Sequence, residues 1–196
     1  MGNYLALVNK QNRYSNEMVE GFKFIDVIAN DNVETQVEAR TYNAFNALCE
    51  RMKEFGIKVS INSARRTPED QTRVFLELEQ EYGTEYAKAH TALPYYSEHH
   101  TGLAIDVRLE REKPNILTKL RIGAKEDKAK MYAIFHNQLA DFGFIERYTQ
   151  EKQIITGYPA ERWHIRFVGQ EYARQIKQSG LCLEEFLKEK SKDEVA

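Results

Sequence analysis

The residues most suggestive of chemistry lie in the segment YYSEHHTGLAIDV, residues 95–107, where two adjacent histidines precede an apolar run that contains one aspartate. An ionised carboxylate in an apolar strand is costly unless a positive group meets it. Asp106 therefore predicts a cationic partner. The neighbouring His99 and His100 indicate that this partner is a metal ion.

A further metal-capable side chain lies in the segment WHIRFV, residues 163–168. Alternate side chains of a strand point to opposite faces. This parity places Asp106 opposite the apolar side chains of its own strand. In WHIRFV the same rule places His164 and Arg166 together on one face. The opposite face carries Trp163, Ile165 and Phe167.

Two imidazoles and one carboxylate leave one position of a tetrahedral site open, which is the ligand count of a catalytic zinc site. We expect His99, Asp106 and His164 to supply these ligands, because Gly102 allows the chain to turn between the first two. His100 is the alternative to His99, although adjacent side chains point apart and only one can easily face the metal.

A zinc-bound water is acidified toward neutrality and needs a base beside it. Glu161, three residues before His164, is the nearest candidate. Strand parity alone does not put these two side chains on one face, so this interpretation requires a turn or bulge between them. The alternative is that Glu161 and Arg166 are ordinary solvated charges. His90 and His136 lie in predicted helices and are interpreted as structural.

Composition limits the classes of protein and partner. The chain has 196 residues, of which 42% are hydrophobic and 30% charged, as expected of one globular domain. The formal net charge is −2 and the basic residues are scattered, so we expect no nucleic-acid partner. Cys49 and Cys182 lie far apart outside any CxxC pattern, which predicts buried thiols rather than a disulfide or a cysteine zinc site.

The first residues, MGNYLALVNKQNRYSNEM, contain only a short apolar patch without a basic lead. They predict neither a signal peptide nor a membrane span. The sequence as it stands therefore predicts a cytoplasmic protein. A chain from which an export signal had been removed would look the same and would be extracellular or membrane-associated.

Helices and strands alternate along the chain with short connections. Residues 33–56 show helical spacing and end at Gly56, and residues 57–64 alternate as a strand does. Thr67 and Pro68 are typical of an N-cap and first helical position, which predicts a helix to about Gly83. Three further strands (LAIDVRL, FIERY and WHIRFV), a helix over 125–143, a turn at TGYP and helices from about Gly169 complete the prediction.

These elements predict an α+β fold with a small antiparallel sheet flanked by helices and with the zinc site at the sheet. We expect one catalytic domain over residues 1–196. Residues 1–3 and about 188–196 are expected to be frayed tails.

Three segments of the sequence resemble one known family. SEHHTGLAID matches S-x-H-x-x-G-x-A-x-D, ERWHIR matches E-x-W-H-x-R, and SARRTPEDQ is similar to a third family segment. The motifs are similar to those of the zinc D,D-carboxypeptidases and D,D-dipeptidases of bacterial peptidoglycan metabolism, which include the VanY, VanX and VanXY vancomycin-resistance enzymes. The likeness covers roughly residues 4–187.

The resemblance implies one Zn²⁺ ion per chain, with Glu161 as the catalytic base. It implies that Arg66 stabilises the developing oxyanion and that Gln71 and Ser97 lie near the terminal carboxylate of the substrate. The zinc ligands that it implies are His99, Asp106 and His164.

The implied function is zinc-dependent hydrolysis of the C-terminal D-Ala-D-Ala bond, in peptidoglycan precursors or in the free dipeptide. The chain departs from the family at Ala64 and Arg65, where Gly and Tyr are usual, and at Tyr95, where many relatives have Gly. These departures leave the choice of substrate open, and the alternatives within the enzyme class are an L,D-carboxypeptidase and an endopeptidase on stem peptides. A non-catalytic zinc-stabilised module that binds cell-wall peptides is the alternative from a different class.

Overall fold

Four antiparallel strands form the sheet that carries the candidate site, and a separate two-stranded sheet lies beside it. The computed structural model describes residues 2–112 and 128–193. The strands are β1 (Phe24–Ile28), β2 (Glu34–Glu38), β3 (Ile57–Ser63), β4 (Ala104–Arg111), β5 (Phe144–Glu146) and β6 (His164–Phe167). The helices are α1 (Ala39–Lys53), α2 (Pro68–Tyr82), α3 (Thr84–His90), α4 (Lys128–Leu139), α5 (Gln153–Thr156), α6 (Gln170–Ser179) and α7 (Leu183–Asp193).

The larger sheet has the strand order β3-β4-β6-β5, with every neighbouring pair antiparallel. The β4–β6 register places Asp106 directly opposite His164. Opposite residues of an antiparallel pair have neighbouring Cβ atoms, so the two predicted ligands emerge side by side on one face. The predicted α+β class with a small antiparallel sheet is confirmed.

The hydrophobic core lies on the other face of this sheet. Ile105 and Val107 of β4 point into it, as strand parity predicts. Helices α1 and α4 cover this face with buried apolar side chains: Phe45, Leu48, Met52, Phe135 and Leu139. This packing anchors β4 on the core through its apolar side chains, with Asp106 directed away from the core.

The prediction of one helix over residues 33–56 is wrong at its beginning. Residues Glu34–Glu38 form β2, which pairs with β1 and buries Val37 completely. The Glu38 side chain then accepts a hydrogen bond from the Thr41 N–H at 2.8 Å and so caps α1. Packing of the β1–β2 hairpin on the core therefore overrides the helical pattern until this cap.

Helix α2 begins and ends as predicted. Thr67 is the N-cap, its hydroxyl accepts from the Asp70 N–H at 3.1 Å, and Pro68 is the first helical residue. The Asp70 carboxylate accepts from the Thr67 N–H in return, which completes a capping box. The helix ends at Gly83, and the loop before it holds Arg66.

The C-terminal helices pack on a second, smaller apolar cluster. Leu183 and Phe186 of α7 meet Ala173 and Ile176 of α6 there. Helix α7 continues to Asp193, beyond the point near residue 188 where the sequence predicts a frayed tail. Residues 125–127 of the predicted helix over 125–143, Met1 and residues 194–196 lie outside the described residues.

Within residues 2–112 and 128–193, no helix is both long and apolar enough to cross a bilayer.

Candidate metal centre

Three structural elements bring the predicted ligands together. Strands β4 and β6 supply Asp106 and His164, and a 3₁₀ turn over Glu98–Thr101 supplies His99. Asp106 Oδ1 lies 2.9 Å from His164 Nδ1, and Asp106 Oδ2 lies 3.3 Å from His99 Nε2. One ligand atom from each of the three residues lies within 4.8 Å of the other two.

The turn at Gly102 makes this convergence possible, as predicted. Its φ is +71°, in the left-handed region that glycine adopts without strain. A Cβ at this position would lie 2.7 Å from the Phe24 ring. The chain can therefore double back tightly from His99 to β4 only with glycine here.

The second nitrogen of each histidine ring is also held. His99 Nδ1 donates to the Ala64 carbonyl oxygen at 2.6 Å. His164 Nε2 lies 2.9 Å from the Glu98 carboxylate. A carbonyl oxygen can only accept, so the His99 proton is on Nδ1 and the lone pair of Nε2 faces Asp106. Such outer partners orient metal-binding imidazoles.

The protonation states of the buried cluster follow from its charges. Burial and the nearby Arg66 cation lower the pKa of His99 to about 4, so this ring is neutral at pH 7. Burial opposes charge on His164 as well, but hydrogen bonds to Asp106 and Glu98 raise its pKa to about 9. Burial would raise the pKa of Asp106, yet the two histidines outweigh it and lower that pKa well below the ordinary value.

The donor set fits a zinc ion. Two imidazole nitrogens and one carboxylate oxygen are ligands that Zn²⁺ prefers, and the cluster opens on one side toward a cavity. An ion in this place would also bind the buried Asp106 carboxylate, which already lies between His99 and His164.

All seven residues singled out in the sequence line this one cavity of about 190 Å³: Arg66, Gln71, Ser97, His99, Asp106, Glu161 and His164. The cavity also contains side chains that the sequence analysis did not select, namely Tyr148, Tyr158 and Trp163, with His90 also among its lining residues. The structure therefore brings together residues from six separate segments of the chain: 66–71, 90–92, 96–99, 106, 148 and 158–164.

Glu161 reaches the cavity because a turn precedes β6. The His164 N–H donates to the Glu161 carbonyl oxygen at 3.1 Å, which is the turn that the base assignment requires. Burial raises the pKa of the Glu161 carboxyl to about 7. A carboxyl with a pKa near neutrality is suited to take up and release a proton at physiological pH.

Arg66 also lies next to Asp106. Its Nη2 is 3.8 Å from Asp106 Oδ2, and its buried Nε has no hydrogen-bond partner. Burial lowers the pKa of the guanidinium, although Asp106 and Glu161 oppose this change. The guanidinium is therefore a desolvated cation, and its Nε has the capacity to donate one further hydrogen bond.

Gln71 and Ser97 are both buried in the cavity wall. The Gln71 amide donates to the Ala92 carbonyl at 2.8 Å and to the Thr91 hydroxyl at 3.2 Å, which leaves Oε1 without a partner. Ser97 is the N-cap of the 3₁₀ turn. Gln71 Oε1 is thus a buried acceptor in the cavity wall that has no hydrogen-bond partner.

His100, the alternative ligand, faces away from the cluster. Its Nδ1 donates to the Arg66 carbonyl at 2.7 Å and its Nε2 accepts from the Tyr95 N–H at 3.0 Å. Tyr95 has a φ of +70°, where most side chains are strained and glycine is favoured. The Tyr95 carbonyl also accepts from Tyr14 N–H at 2.7 Å, so two hydrogen bonds hold this strained residue.

One expectation and one alternative for the segment around β6 are wrong. Trp163 does not join Ile165 in the core but is 46% exposed and lines the cavity, because the strand begins only at His164. Arg166 is not a solvated charge; it is fully buried and ion-paired with Glu98 at 3.1 Å.

The two cysteines differ in burial, whereas the sequence predicts that both are buried. Cys182 is buried, whereas Cys49 is only half-buried, and both are unpaired cysteines.

Glu98 is the main residue of the site that sequence reasoning missed. It is buried between His164, Arg147 and Arg166. The available signal was its place between Ser97 and His99 in the S-x-H motif, directly beside a predicted metal ligand. Its partners Arg147, His164 and Arg166 lie 49, 66 and 68 residues further along the chain.

The fold and the site together define a cation centre of two histidines and one aspartate on an antiparallel sheet. A sequence model described as VanY, D-alanyl-D-alanine carboxypeptidase, matches residues 34–170. The chain therefore belongs to the VanY D-alanyl-D-alanine carboxypeptidase family.

Two characterised relatives resemble part of the chain. The bifunctional D-Ala-D-Ala dipeptidase and carboxypeptidase VanXYC of Enterococcus gallinarum is 38% identical over 123 residues, which are 62% of this chain and 62% of that protein. A D-alanyl-D-alanine carboxypeptidase of Enterococcus faecalis is 35% identical over 141 residues, 67% of this chain and 48% of that protein. The matched region thus spans less than two thirds of either relative.

Solved structures of similar fold match almost the whole chain. A VanY variant from a VanB-type resistance cassette in complex with Zn(II) and VanYB in complex with D-alanine-D-alanine are each 28% identical, with TM-scores of 0.76. They cover 94% of this chain and 98% and 97% of theirs. The LD-carboxypeptidase LdcB is 27% identical with a TM-score of 0.75, covering 95% of this chain and 86% of its own.

Proposed function

We propose that this chain is a zinc-dependent peptidase that hydrolyses the C-terminal D-Ala-D-Ala bond of peptidoglycan precursors or of the free dipeptide. The observation that carries the proposal is one cavity that contains a three-residue metal cluster, a carboxyl with a pKa near 7 and a desolvated arginine. Names of family members supply the substrate class: D-Ala-D-Ala dipeptidase and carboxypeptidase.

One Zn²⁺ ion per chain is the cofactor, held by His99, Asp106 and His164. The VanY neighbour in complex with Zn(II) supports this choice of metal, as does the donor set. When bound, the ion supplies Lewis-acid chemistry at the scissile carbonyl and an acidified water. The remaining steps belong to side chains of the chain itself.

Glu161 acts as the base and then as the acid. It takes a proton from the attacking water as the water oxygen bonds to the carbonyl carbon. It then gives that proton to the amine as the C–N bond breaks, which yields a new carboxylate and free D-alanine. General acid–base catalysis of this kind contributes roughly a hundred- to ten-thousand-fold in rate.

Arg66 stabilises the negative charge that develops on the carbonyl oxygen. Its buried Nε is without a partner and can donate to that oxygen without first breaking another bond. Ser97 and Gln71 contact the terminal residue of the substrate. Because the Gln71 amide protons are already engaged, its Oε1 accepts an N–H, whereas the substrate carboxylate meets donors such as Ser97.

The function of a binding module without catalysis is less well supported. A binder needs the metal ligands but has no use for a base or an oxyanion donor. Glu161 and Arg66 both line the cavity beside the cluster.

The cellular location bears on the natural substrate. If the cytoplasmic location predicted from the sequence holds, the enzyme meets free D-Ala-D-Ala and precursor pentapeptide. An exported enzyme would instead trim mature wall peptides. The partner in either case is a small peptide that ends in D-alanine.

An L,D-carboxypeptidase activity on tetrapeptide stems is the second candidate. The LdcB neighbour supports it, since its fold matches this chain almost as well as the VanY structures do. Arg65, which departs from the family motif, lies next to Arg66 in the loop after β3. This second activity differs from the first in the residue that precedes the terminal D-alanine.

The experiment is incubation of the purified, zinc-loaded protein with D-Ala-D-Ala, with a pentapeptide ending in D-Ala-D-Ala and with a tetrapeptide. Mass spectrometry identifies the products, and Glu161→Gln is the control for contaminating peptidases. We expect release of one D-alanine from the pentapeptide, the dipeptide or both. Release only from the tetrapeptide would favour the L,D-carboxypeptidase, internal cleavage would favour an endopeptidase, and binding without any cleavage would contradict catalysis.

A further inference from the structure

A buried chain of charges connects the metal cluster to the C-terminal helix. Glu98, only 2% exposed, places Oε2 at 2.9 Å from His164 Nε2. Its other oxygen, Oε1, accepts from Arg147 Nε at 3.0 Å. Arg147 in turn donates from Nη1 and Nη2 to the Glu184 carboxylate of α7, at 2.9 and 2.6 Å. Three hydrogen-bonded contacts thus connect α7 to a predicted metal ligand.

The N-terminal segment joins the same network. Arg166 donates from Nη1 to Glu98 Oε1 at 3.1 Å and from Nη2 to the carbonyl oxygens of Ala6 and Tyr4, at 2.7 and 3.2 Å. Asn9 donates to Glu184 at 3.1 Å. Both ends of the chain therefore fix the two arginines that hold Glu98.

The two oxygens of the Glu98 carboxylate have different partners. Both guanidinium groups bind Oε1, and Oε2 remains for His164 alone. A carboxylate that accepts from Nε2–H fixes the imidazole tautomer with the lone pair of Nδ1 directed toward the metal. Two rigid planar donors on the far side prevent the carboxylate from rotating away.

Stability alone does not account for such a network. Taking four charged side chains out of water costs a great deal, and well-packed apolar residues often stabilise a core as well or better. The side chains of Glu98, Arg147 and Arg166 are at most 1% exposed. What apolar packing cannot supply is a fixed hydrogen-bond acceptor behind His164.

We propose that Glu98 is a positioning residue for the zinc ligand His164, and that Glu184 of α7 supports it through Arg147. This inference rests on the proposed function, because it takes His164 as a ligand. It adds residues outside the region 34–170 that the family model matches, namely Glu184, Asn9 and Ala6. The terminal segments are thereby part of the apparatus that holds the metal.

The test measures zinc affinity by competition with a chromophoric chelator and the visible absorption spectrum of the Co²⁺-substituted protein. Glu98→Gln keeps the shape of the side chain but removes its charge. We expect it to weaken zinc binding about 10- to 100-fold, as loss of an outer partner of a ligand does. We also expect altered Co²⁺ absorption bands, which a change in stability alone would not produce.

Glu184→Gln is the remote variant, and Glu185→Gln is its matched control. Glu185 lies one residue further along α7 but pairs with Lys152 at 2.7 Å, away from Arg147. We expect Glu184→Gln to weaken zinc binding several-fold and to shift the Co²⁺ bands in the same direction as Glu98→Gln. We expect Glu185→Gln to bind both ions as the unaltered protein does.

Equal zinc affinities for Glu184→Gln and Glu185→Gln would overturn the role of α7, even if the former melts at a lower temperature. Wild-type affinity in Glu98→Gln would overturn the role of Glu98. If Glu98→Gln does not fold, the Glu184→Gln comparison decides, since it leaves Glu98 and His164 in place. His164→Ala separates the two proposals: zinc binding that survives this change contradicts the proposed site itself.

Discussion

The two nitrogen atoms of the His164 ring face two regions of the molecule that are built in opposite ways. On the Nε2 side, every charged group of Glu98, Arg147 and Arg166 has a hydrogen-bond partner. On the Nδ1 side, the cavity wall contains three buried polar atoms without a partner: Arg66 Nε, Gln71 Oε1 and Tyr158 Oη. Both regions are polar and buried, yet only one is saturated.

The contrast distinguishes groups that orient the metal ligand from groups that are free to contact a substrate. Buried polar groups are almost always hydrogen-bonded, so atoms that are not require an explanation. A saturated network fixes orientation and has no capacity for a ligand. An unsaturated cavity is costly in the free protein, and a bound substrate recovers that cost. His164 lies at the boundary and belongs to both regions.

Removal of His164 should have the largest effect, because it disrupts both regions at once. In His164→Ala, Asp106 and Glu98 both lose the imidazole that they contact. Breaking a buried charge pair costs about 3–5 kcal/mol of unfolding free energy. We expect loss of zinc and of turnover, measured by metal analysis, peptide assay and denaturant unfolding. Stoichiometric zinc in this variant would contradict its role as a ligand.

Glu161→Gln should affect the cavity alone. Turnover is expected to fall roughly a hundred- to ten-thousand-fold while zinc content stays at one ion per chain, because the group moves a proton and does not bind the metal. Metal analysis beside a steady-state assay checks both. An empty metal site would show that the assignment of roles is wrong.

Arg66→Lys retains the positive charge but loses the planar donors of the guanidinium. We expect a loss of transition-state stabilisation of about 3–4 kcal/mol, seen mainly in kcat. Arg73→Lys, an exposed site on α2, is the control. A change confined to KM would indicate that Arg66 binds substrate and does not stabilise the oxyanion.

Zinc affinity should depend on pH because binding displaces a proton from His164. Hydrogen bonds to Asp106 and Glu98 keep the pKa of this ring near 9 in the metal-free protein, so it is charged at pH 7. His99, with a pKa of about 4, is already neutral there. Between pH 7 and 9 we expect affinity to rise about tenfold per unit, with about one proton released at pH 7 in calorimetry. Affinity independent of pH in this window would contradict the protonated ring.

Tyr158→Phe should have the smallest effect on stability. Its comparison with Tyr4→Phe distinguishes an unpaired hydroxyl from a hydrogen-bonded one. The Tyr158 hydroxyl has no partner, so its removal should leave the free energy of unfolding unchanged or slightly higher. Tyr4→Phe, which removes a hydrogen bond of 3.1 Å to Glu38, should instead cost about 0.5–1.5 kcal/mol. Equal losses of stability in both variants would remove the distinction.

The sequence predicted the residues that line the cavity better than the Glu98 network that supports His164. Strand parity was enough to put Asp106 and His164 on one face, since that rule is local. The Glu98 network was not predictable in this way, because Arg147 and Glu184 reach it only through tertiary packing. Trp163 was misplaced since parity was extended across a turn, one residue before the strand begins.

The hairpin of β1 and β2 shows the same limit in the fold. Val37 lies within a stretch whose spacing favours a helix, and its burial against the core decides otherwise. Tyr95 gives the converse case: its departure from the family's glycine coincides with a φ of +70° in the structure. The departure from glycine at Tyr95 marks the position, and the positive φ is seen only in the structure.

The most direct test is an anomalous difference map, collected at the zinc absorption edge, from crystals of the zinc-loaded protein. We expect a single strong peak in the cavity, about 2.0–2.2 Å from His99 Nε2, His164 Nδ1 and the Asp106 carboxylate. A peak bound by other residues, or no peak at this cluster in protein that carries stoichiometric zinc, would contradict the proposed metal centre.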